Sequence, residues 1–473
     1  MGRTIIAEDG IEYYGTALAE KKELIVGLIF GQEFSAQKSC VIHLSRTPEP
    51  NVEDNDDSED VNTPSKRNSS KTQKTTKAVE DFDDSLILDH VRQVMRTLPG
   101  GINVLGLFMV SDSDPFQNSG LNNRFRKLLT SIDGIISKNS ITIRQQLTCE
   151  RIVLHISNVS MKYTAKTIDI ASPIASPKPA EWKFVGAAGS PWIELHCTLN
   201  VEFFITLSEI ESSGTLRNQV EAGLEHYNKA VKQCVCIIEG NLPSDSDLLI
   251  PVENAPEKGS GKKKQKQAEI EERIKTLNIQ VLIPEPEVKF EKQKTTAELR
   301  FGGQMCIKAY IHSKATVREA YQVIREDITR SLWARCDMHC DSLIGDEQRG
   351  QPHVRAVLHE PPRRVLAPLP YSPISISDYL FPGEGPADSL TSLADLLDLG
   401  TLLDGDIQDY WEAAAEVSDA LESDRNVLET TTTSTKQPSL QTPSNSRVIL
   451  LSALIAMLAV ILSYLALQVV RSE

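Results

Sequence analysis

Two short groups of residues carry side chains that could bind a metal. Cys336, His339 and Cys340 supply three potential zinc ligands close together near the end of a predicted helix. A tetrahedral structural zinc site needs a fourth ligand, which usually comes from a second closely spaced pair. The nearest such pair, Cys234 and Cys236, lies about a hundred residues earlier in the chain. The spacing therefore predicts no bound metal.

Nucleophilic catalysis has no local signature in this sequence. Cys197 and His196 are neighbours in a predicted strand, so their side chains point to opposite faces and cannot form a dyad. The sequence contains no phosphate-binding loop, dinucleotide-binding loop, serine-hydrolase elbow or zinc-protease helix motif. We therefore expect no catalytic residue, no cofactor and no metal. The alternative is a hydrolase with a cryptic metal or thiol site on the cytosolic face of a membrane.

Composition and charge restrict the classes of partner. The chain has 473 residues, 8 cysteines and a formal net charge of −15. The cysteines lack the dense spacing of a disulfide scaffold, as expected in a reducing compartment. Residues 365–424 contain thirteen acidic residues and no lysine or arginine. Because no basic stripe is available for phosphate groups, the sequence predicts no nucleic-acid partner.

An uncharged, mostly aliphatic run lies near the C-terminal end. As a helix, residues 448–470 would span roughly 34 Å, which is enough to cross a bilayer core. The N-terminus lacks the pattern of a signal peptide, so we expect a single-pass tail anchor with the bulk of the chain in the cytosol. The residues expected to contact membrane lipid are Val448, Leu451, Leu454, Leu458, Ile461, Leu465 and Val470.

Strand and helix patterns alternate through the first half of the chain. Apolar runs at residues 23–32 and 104–110 predict buried strands. Amphipathic repeats at residues 85–98 and 121–138 predict helices. Residues 193–207 alternate between apolar and polar side chains, which predicts a long strand that covers a core with one face.

The predicted organisation has five parts. They are a domain at residues 1–240 with a disordered insertion at 49–84, a basic linker at 241–273, a smaller αβ unit at 274–370, an acidic and Thr/Ser-rich flexible segment at 371–446, and the anchor at 448–470. In the αβ unit, a capping box formed by Thr316 and Glu319 predicts the start of a long helix.

The acidic segment contains leucines at helical spacing, followed by an aromatic pair. Such a helix face needs an apolar groove, which a partner would supply if the segment has no core of its own. The alternative is a disordered, solubilising tail. The candidate partner-binding residues are Leu390, Leu393, Leu396, Leu397 and Trp411.

The order strand, strand, helix, strand across residues 23–110 resembles the start of an MPN domain, the fold of JAMM-type deubiquitinating metalloproteases. Active members of that family place two histidines directly after the last of these strands, where they hold zinc together with a carboxylate. Here Ser111, Asp112, Ser113 and Asp114 follow instead. The resemblance therefore implies an α/β fold of the α+β type, with an inactive MPN-like domain at the N-terminus.

A more specific resemblance covers most of the chain. Its pieces are Met1-Gly2-Arg3, Arg46-Thr47-Pro48, Leu98-Pro99-Gly100-Gly101, Pro179-Ala180-Glu181-Trp182-Lys183, Ala309-Tyr310-Ile311-His312-Ser313, Pro368-Leu369-Pro370 and the C-terminal apolar run. In their order and spacing the sequence resembles the odorant response abnormal 4-like family. The resemblance implies an adaptor at the endoplasmic reticulum that helps odorant and other multispanning receptors to reach cilia. It also implies pairing with the ubiquitin-fold-modifier-specific protease through the MPN-like domain.

Overall fold

The computed structural model describes residues 2–49, 82–139, 148–186, 192–208, 215–250, 274–284, 295–348 and 361–413. All of them belong to one compact unit, Met1–Ala420. Most of the predicted insertion at 49–84 and most of the linker at 241–273 lie outside the described residues, as does the tether that leads to residue 446.

Seven strands of the N-terminal half form a closed barrel in the order β1-β3-β2-β4-β5-β6-β7, which β1 closes by pairing with β7. Strands β2 and β3 form an antiparallel hairpin, whereas β4 and β5 pair in parallel. The strands are β1 (Thr4–Glu8), β2 (Ile25–Ser35), β3 (Lys38–Arg46), β4 (Asn103–Ser111), β5 (Glu150–Ser157), β6 (Tyr163–Asp169) and β7 (Lys178–Val185).

Helices cover both faces of the barrel wall. They are α1 (Asp9–Glu20), α2 (Asp84–Thr97) and α3 (Ser119–Asn139). Along β4, Leu107 and Met109 pack with α2 and α3, while Phe108 and Val110 pack in the cluster that contains α1. Because successive strand residues point to opposite faces, a wall buried on both sides requires an unbroken apolar run, which is the pattern that the sequence shows.

A second sheet has the strand order β11-β8-β10-β9. The long strand β8 pairs in parallel with β10 and antiparallel with β11. Its alternating residues are buried on one face against two helices, which confirms the sequence-based interpretation of this strand. The elements are β8 (Trp192–Ser208), α4 (Leu216–Lys232), β9 (Val235–Ile238), β10 (Ile274–Leu282), β11 (Thr295–His312) and α5 (Val317–Gln348).

A hairpin and a helix follow α5. Strands β12 (Arg363–Pro368) and β13 (Ser375–Leu380) pair antiparallel, and α6 (Pro386–Leu397) packs beside them. Residues 371–413 fall in the segment predicted to be acidic, flexible and of low complexity. They instead form β13, α6 and the chain that follows, because their apolar residues are buried in the same core as those of α2 and α3.

The predicted fold class is wrong in its N-terminal domain and in its second unit. The structure is a mixed α/β fold with a closed seven-stranded barrel, not an MPN-like domain followed by a separate smaller unit. Strand β1, which the sequence pattern did not reveal, closes the barrel through β7. Strand β8 joins β10 and β11 in one sheet across the predicted linker. Local periodicity indicates strands but does not specify which distant strands pair, and this explains both errors.

The predicted transmembrane helix is not supported either. Among the described residues, no helix is long and apolar enough to cross a membrane. The predicted anchor lies entirely outside the described residues, including Val448, Leu451, Leu454, Leu458, Ile461, Leu465 and Val470.

Candidate functional site

The segment at residues 386–412, called the strap below, contains every residue predicted to bind a partner. Leu393 and Leu397 are fully buried, while Leu390 and Leu396 are partly buried against the same core. This core includes side chains of β3, α2 and β13. Full burial of a leucine contributes roughly 2 kcal/mol, so α6 is held firmly in place. The groove that the leucines need is therefore supplied by this chain itself.

The last carbonyl groups of α6 have no N–H donor within the helix, and three side chains supply donors to them instead. Nε2 of His90 donates to the Leu396 carbonyl over 2.7 Å, and the Ser45 hydroxyl donates to the same oxygen over 3.2 Å. Nε2 of His43 donates to the Leu397 carbonyl over 2.9 Å. Because a carbonyl can only accept, both imidazoles must carry a proton on Nε2.

These two histidines are kept neutral by their surroundings. Burial lowers the pKa of His43, and it lowers the pKa of His90 to about 4, although the backbone carbonyls of α6 act in the opposite direction. The His43 ring stacks on Phe30 with the ring centroids 6.0 Å apart. The end of α6 thus packs against neutral imidazoles in apolar surroundings. Protonation of either imidazole would place an unfavourable buried charge there.

Asp398 ends α6 in the left-handed region, with φ at 56°. Its carboxylate accepts a hydrogen bond from the Tyr14 hydroxyl over 2.7 Å and another from Nε of Arg46 over 3.1 Å. Burial, and then the Asp398 carboxylate, raise the pKa of Tyr14. The end of the helix is thereby attached to both α1 and β3.

Trp411 lies at the far end of the strap and contacts the second sheet instead of the groove of α6. It is half-buried, with its ring centroid 4.9 Å from that of His196 on β8. Nζ of Lys308 on β11 lies 5.5 Å from the ring centroid, in cation–π range. The structure therefore gives Trp411 and the four leucines different surroundings, which do not form one partner-binding face.

Sequence reasoning missed a row of buried charges on α5, formed by Glu326, Asp327 and Arg330. Oδ1 of Asp327 accepts the Gly100 backbone N–H over 2.7 Å, and Nη1 of Arg330 donates to three carbonyls of the turn at residues 98–102. This turn contains the Pro-Gly-Gly sequence that belongs to the family resemblance. In the sequence, these three charged residues interrupt the apolar repeat of the helix, and this interruption could have indicated a buried polar contact.

The Asp327 carboxylate also pairs with Arg364 on β12. The two parallel contacts, Nη1 to Oδ2 and Nη2 to Oδ1, measure 2.7 and 3.0 Å, and each side chain is only 1% exposed. The Lys308 backbone N–H donates to Oδ2 over 2.9 Å. With four donors around it, the carboxylate has its acceptor sites filled, so its role is to join the barrel turn, the second sheet and the hairpin.

Ser111 is the last residue of β4, and its hydroxyl lies beside an imidazole. The Ser111 hydroxyl donates to the Ser113 carbonyl over 2.9 Å and lies 3.1 Å from Nε2 of His155, whose pKa is lowered by burial. The hydroxyl proton is already used, so the imidazole donates to the Ser111 oxygen instead of accepting from it. Asp114 caps the following turn by accepting the Phe116 N–H over 2.9 Å. In a serine nucleophile the hydroxyl donates to the imidazole that acts as its base, so the Ser111–His155 hydrogen bond runs in the opposite direction.

Most of the cysteines are ordinary core residues. In the part of the chain that the structure describes, no group of three or more His, Cys, Asp and Glu side chains is placed to hold a metal. Burial raises the pKa of Cys336, and it raises the pKa of Cys340 to about 11. Cys234 differs, because its thiol lies beside Cys236 and Arg325.

Comparison with known proteins identifies the family. The model of the family described as odorant response abnormal 4-like matches residues 27–407, from β2 into the strap. The chain belongs to this family. The prediction made from the sequence motifs is confirmed.

Curated relatives of this odorant response abnormal 4-like chain extend from mammals to nematodes. The protein odr-4 homolog of Mus musculus is 29% identical over 405 residues, which cover 84% of this chain and 83% of that protein. The Homo sapiens homolog is 28% identical over 410 residues and covers 84% of each chain. Odorant response abnormal protein 4 of Caenorhabditis elegans is 22% identical over 352 residues, 72% of this chain and 68% of that protein.

Among solved structures, the odorant response abnormal 4-like chain is similar to a crystal structure of UfSP from C. elegans. The TM-score is 0.38 at 10% sequence identity, over 84% of this chain and 57% of that one. The likeness is a distant one, and this chain spans little more than half of the UfSP chain.

Proposed function

We propose that this chain is a non-catalytic adaptor that supports the maturation and trafficking of odorant and other multispanning receptors. The observation that carries the proposal is the family match over residues 27–407, together with relatives named for an abnormal odorant response. The matched region includes six of the seven barrel strands, the second sheet and most of the strap, while β1 and α1 precede it. Most of the described fold is therefore available for the same role as in the relatives.

The geometry of the reactive groups supports an adaptor over the alternative, a hydrolase with a cryptic metal or thiol. The Ser111 hydroxyl donates its proton to a carbonyl and is only 2% exposed, so it is poorly suited to attack a substrate. Cys234 is likewise only 2% exposed, so its thiol is too enclosed to reach a large substrate.

The proposed partners are receptor cargo and the ubiquitin-fold-modifier-specific protease, and the proposed location is the endoplasmic reticulum. Affinity purification of the full chain from detergent-solubilised membranes, probed for the protease, tests the partner. Immunofluorescence against an endoplasmic-reticulum marker tests the location. A fragment that ends near residue 240 is unsuitable, because β8 would lose its neighbours β10 and β11.

The function itself is tested by receptor delivery to the cell surface. In cells that lack this chain, an odorant receptor should stay inside the cell, and wild-type protein should restore its surface delivery. The Cys234→Ser variant should restore delivery equally well if the chain is an adaptor. Normal delivery without the chain would contradict the proposed role. Failure of Cys234→Ser together with normal delivery by Cys236→Ser would favour the thiol hydrolase, since a redox pair needs both cysteines.

A further inference from the structure

Cys234 and Cys236 form a close thiol pair at the edge of the second sheet. Cys234 lies two residues after the end of α4, and Cys236 lies in the edge strand β9. Their sulfur atoms are 3.9 Å apart, and the side chains are 2% and 0% exposed. The residue between them, Val235, is 45% exposed, because successive strand residues point to opposite faces and the thiols face the core.

A guanidinium group from α5 covers Cys234. Nε of Arg325 donates to the Cys234 sulfur over 3.5 Å, and Nη2 donates to the Cys234 carbonyl over 2.7 Å. The Arg325 side chain is half-buried and reaches solvent. The pair therefore combines a buried dithiol with a fixed positive charge.

Opposing effects act on the Cys234 thiolate. Burial disfavours the negative charge, as does the C-terminal end of α4. A hydrogen bond from the Cys236 thiol and the Arg325 guanidinium favour it, and together they lower the pKa of Cys234. The same hydrogen bond, and then burial, raise the pKa of Cys236. The surroundings thus favour the thiolate form of Cys234, the sulfur nearer to the arginine, over that of Cys236.

The other described cysteines with shifted pKa values lack this arrangement. Burial raises the pKa of Cys306 to about 12, that of Cys197 to about 11 and that of Cys336 as well. Cys336 and Cys340 are also two thiols of one element, α5, and both have raised pKa values. They provide an internal comparison for a buried pair without a thiolate.

We propose that Cys234 and Cys236 form a peroxide-sensitive redox site, with Cys234 as the attacking thiolate and Cys236 as the resolving thiol. The Cys234 sulfur attacks one oxygen of the peroxide, so that an S–O bond forms, the O–O bond breaks, and hydroxide leaves. Cys236 then attacks the sulfenic acid, so that an S–S bond forms and its proton leaves with the hydroxyl as water. Two thiols are oxidised to a disulfide, and the peroxide is reduced to water.

The fold permits the closing step. A disulfide requires the two sulfur atoms to approach to about 2.05 Å. Strand β9 has four residues and lies at the edge of its sheet, paired with β10, so a small shift breaks few contacts. Oxidation removes the negative charge of the thiolate from beside Arg325, while the hydrogen bond from Arg325 to the Cys234 carbonyl can persist.

The experiment exposes the reduced full chain to hydrogen peroxide at neutral pH, alkylates the remaining thiols and digests the protein with trypsin. Both cysteines fall in one tryptic peptide, residues 233–258. We expect this peptide to become lighter by two hydrogen atoms and to escape alkylation, while Cys336 and Cys340 stay alkylated. Reduction with dithiothreitol should restore alkylation.

Variants separate the two roles. Cys236→Ser should trap a sulfenic acid on Cys234 that reacts with dimedone, and Cys234→Ser should leave Cys236 reduced. Arg325→Gln should slow oxidation relative to wild type, because the guanidinium is one of the two groups that favour the Cys234 thiolate. Arg318→Gln is the matched control, since this exposed arginine lies on the same helix and pairs with Asp245.

Two results would overturn the proposal. One is a 233–258 peptide that keeps both free thiols at a peroxide concentration that oxidises the exposed Cys149. The other is oxidation at the same rate in the Arg325→Gln and Arg318→Gln variants, which would remove the role of the arginine. Circular dichroism of each variant verifies that the fold is intact.

Discussion

Arg335 and Glu412 form a buried bidentate ion pair across 77 residues of sequence. Nη1 and Nη2 of Arg335 contact Oε2 and Oε1 of Glu412 at 2.8 and 2.6 Å, and the side chains are 5% and 2% exposed. The same carboxylate accepts backbone N–H groups of Cys306 and Arg364, each over 2.7 Å. The strap is therefore anchored at its end by a fully paired buried charge, while α6 holds its beginning.

Removal of the Glu412 charge should weaken the fold strongly. Glu412→Gln leaves the Arg335 guanidinium buried without its counterion, and breaking a buried pair in this way costs roughly 3–5 kcal/mol of the free energy of unfolding. Urea unfolding of the full chain measures the loss. Glu225→Gln is the control, because its i,i+4 pair with Lys229 is exposed and should contribute less than about 0.5 kcal/mol. Equal stability of the two variants would contradict this account.

Acidification should weaken the packing of α6 and lower the free energy of unfolding. His90 and His43 have pKa values in the folded protein that lie below those in the unfolded chain. The unfolded chain therefore binds more protons, and the free energy of unfolding decreases as the pH is lowered. The decrease begins near pH 6.5 and for His90 continues to about pH 4, where it reaches roughly 3 kcal/mol. His90→Gln, whose amide can still donate to the Leu396 carbonyl, should flatten the profile between these values. The exposed His226→Gln variant should keep the wild-type profile, and an unchanged profile in His90→Gln would refute the assignment.

The turn that resembles the family sequence should tolerate no side chain at Gly101. This glycine has φ at 87°, and a Cβ atom would lie 2.1 Å from the Tyr310 carbonyl oxygen. Gly240 has a similar φ of 75° but open space around it. Gly240→Ala should therefore cost only the backbone strain, on the order of 1 kcal/mol, and Gly101→Ala several times more. Thermal unfolding of both variants measures the difference, and similar melting temperatures would show that the turn can open.

Shortening a buried leucine of the strap should destabilise the protein without any partner present. Leu393 is 0% exposed, so Leu393→Ala should lower the free energy of unfolding by about 2–5 kcal/mol. Leu403 is 71% exposed in the same strap, and Leu403→Ala should have almost no effect. Limited proteolysis should cleave the strap faster in Leu393→Ala than in the control. If the purified variant is as stable and as resistant as wild type, the leucines do not bind the chain's own groove.

Some features follow from local sequence alone, because their cause lies within one element. The capping box is confirmed: the Thr316 N–H donates to the Glu319 carboxylate over 2.8 Å, and the Glu319 N–H donates back to the Thr316 hydroxyl over 3.3 Å. Strands with unbroken or alternating apolar residues, such as β4 and β8, are equally visible. The spacing of short motifs was sufficient to predict the family.

The tertiary structure alone decided how these elements combine. The leucines of α6 have the same pattern as those of a helix that binds a partner protein. Only the packing of β3, α2 and β13 against the helix makes the groove internal. Likewise, the sequence gives no reason for Asp327 to meet Gly100 and Arg364, which lie far from it along the chain. Contacts of this kind depend on which strands pair and which faces meet, and that is determined by the packing of the whole chain and not by any local periodicity.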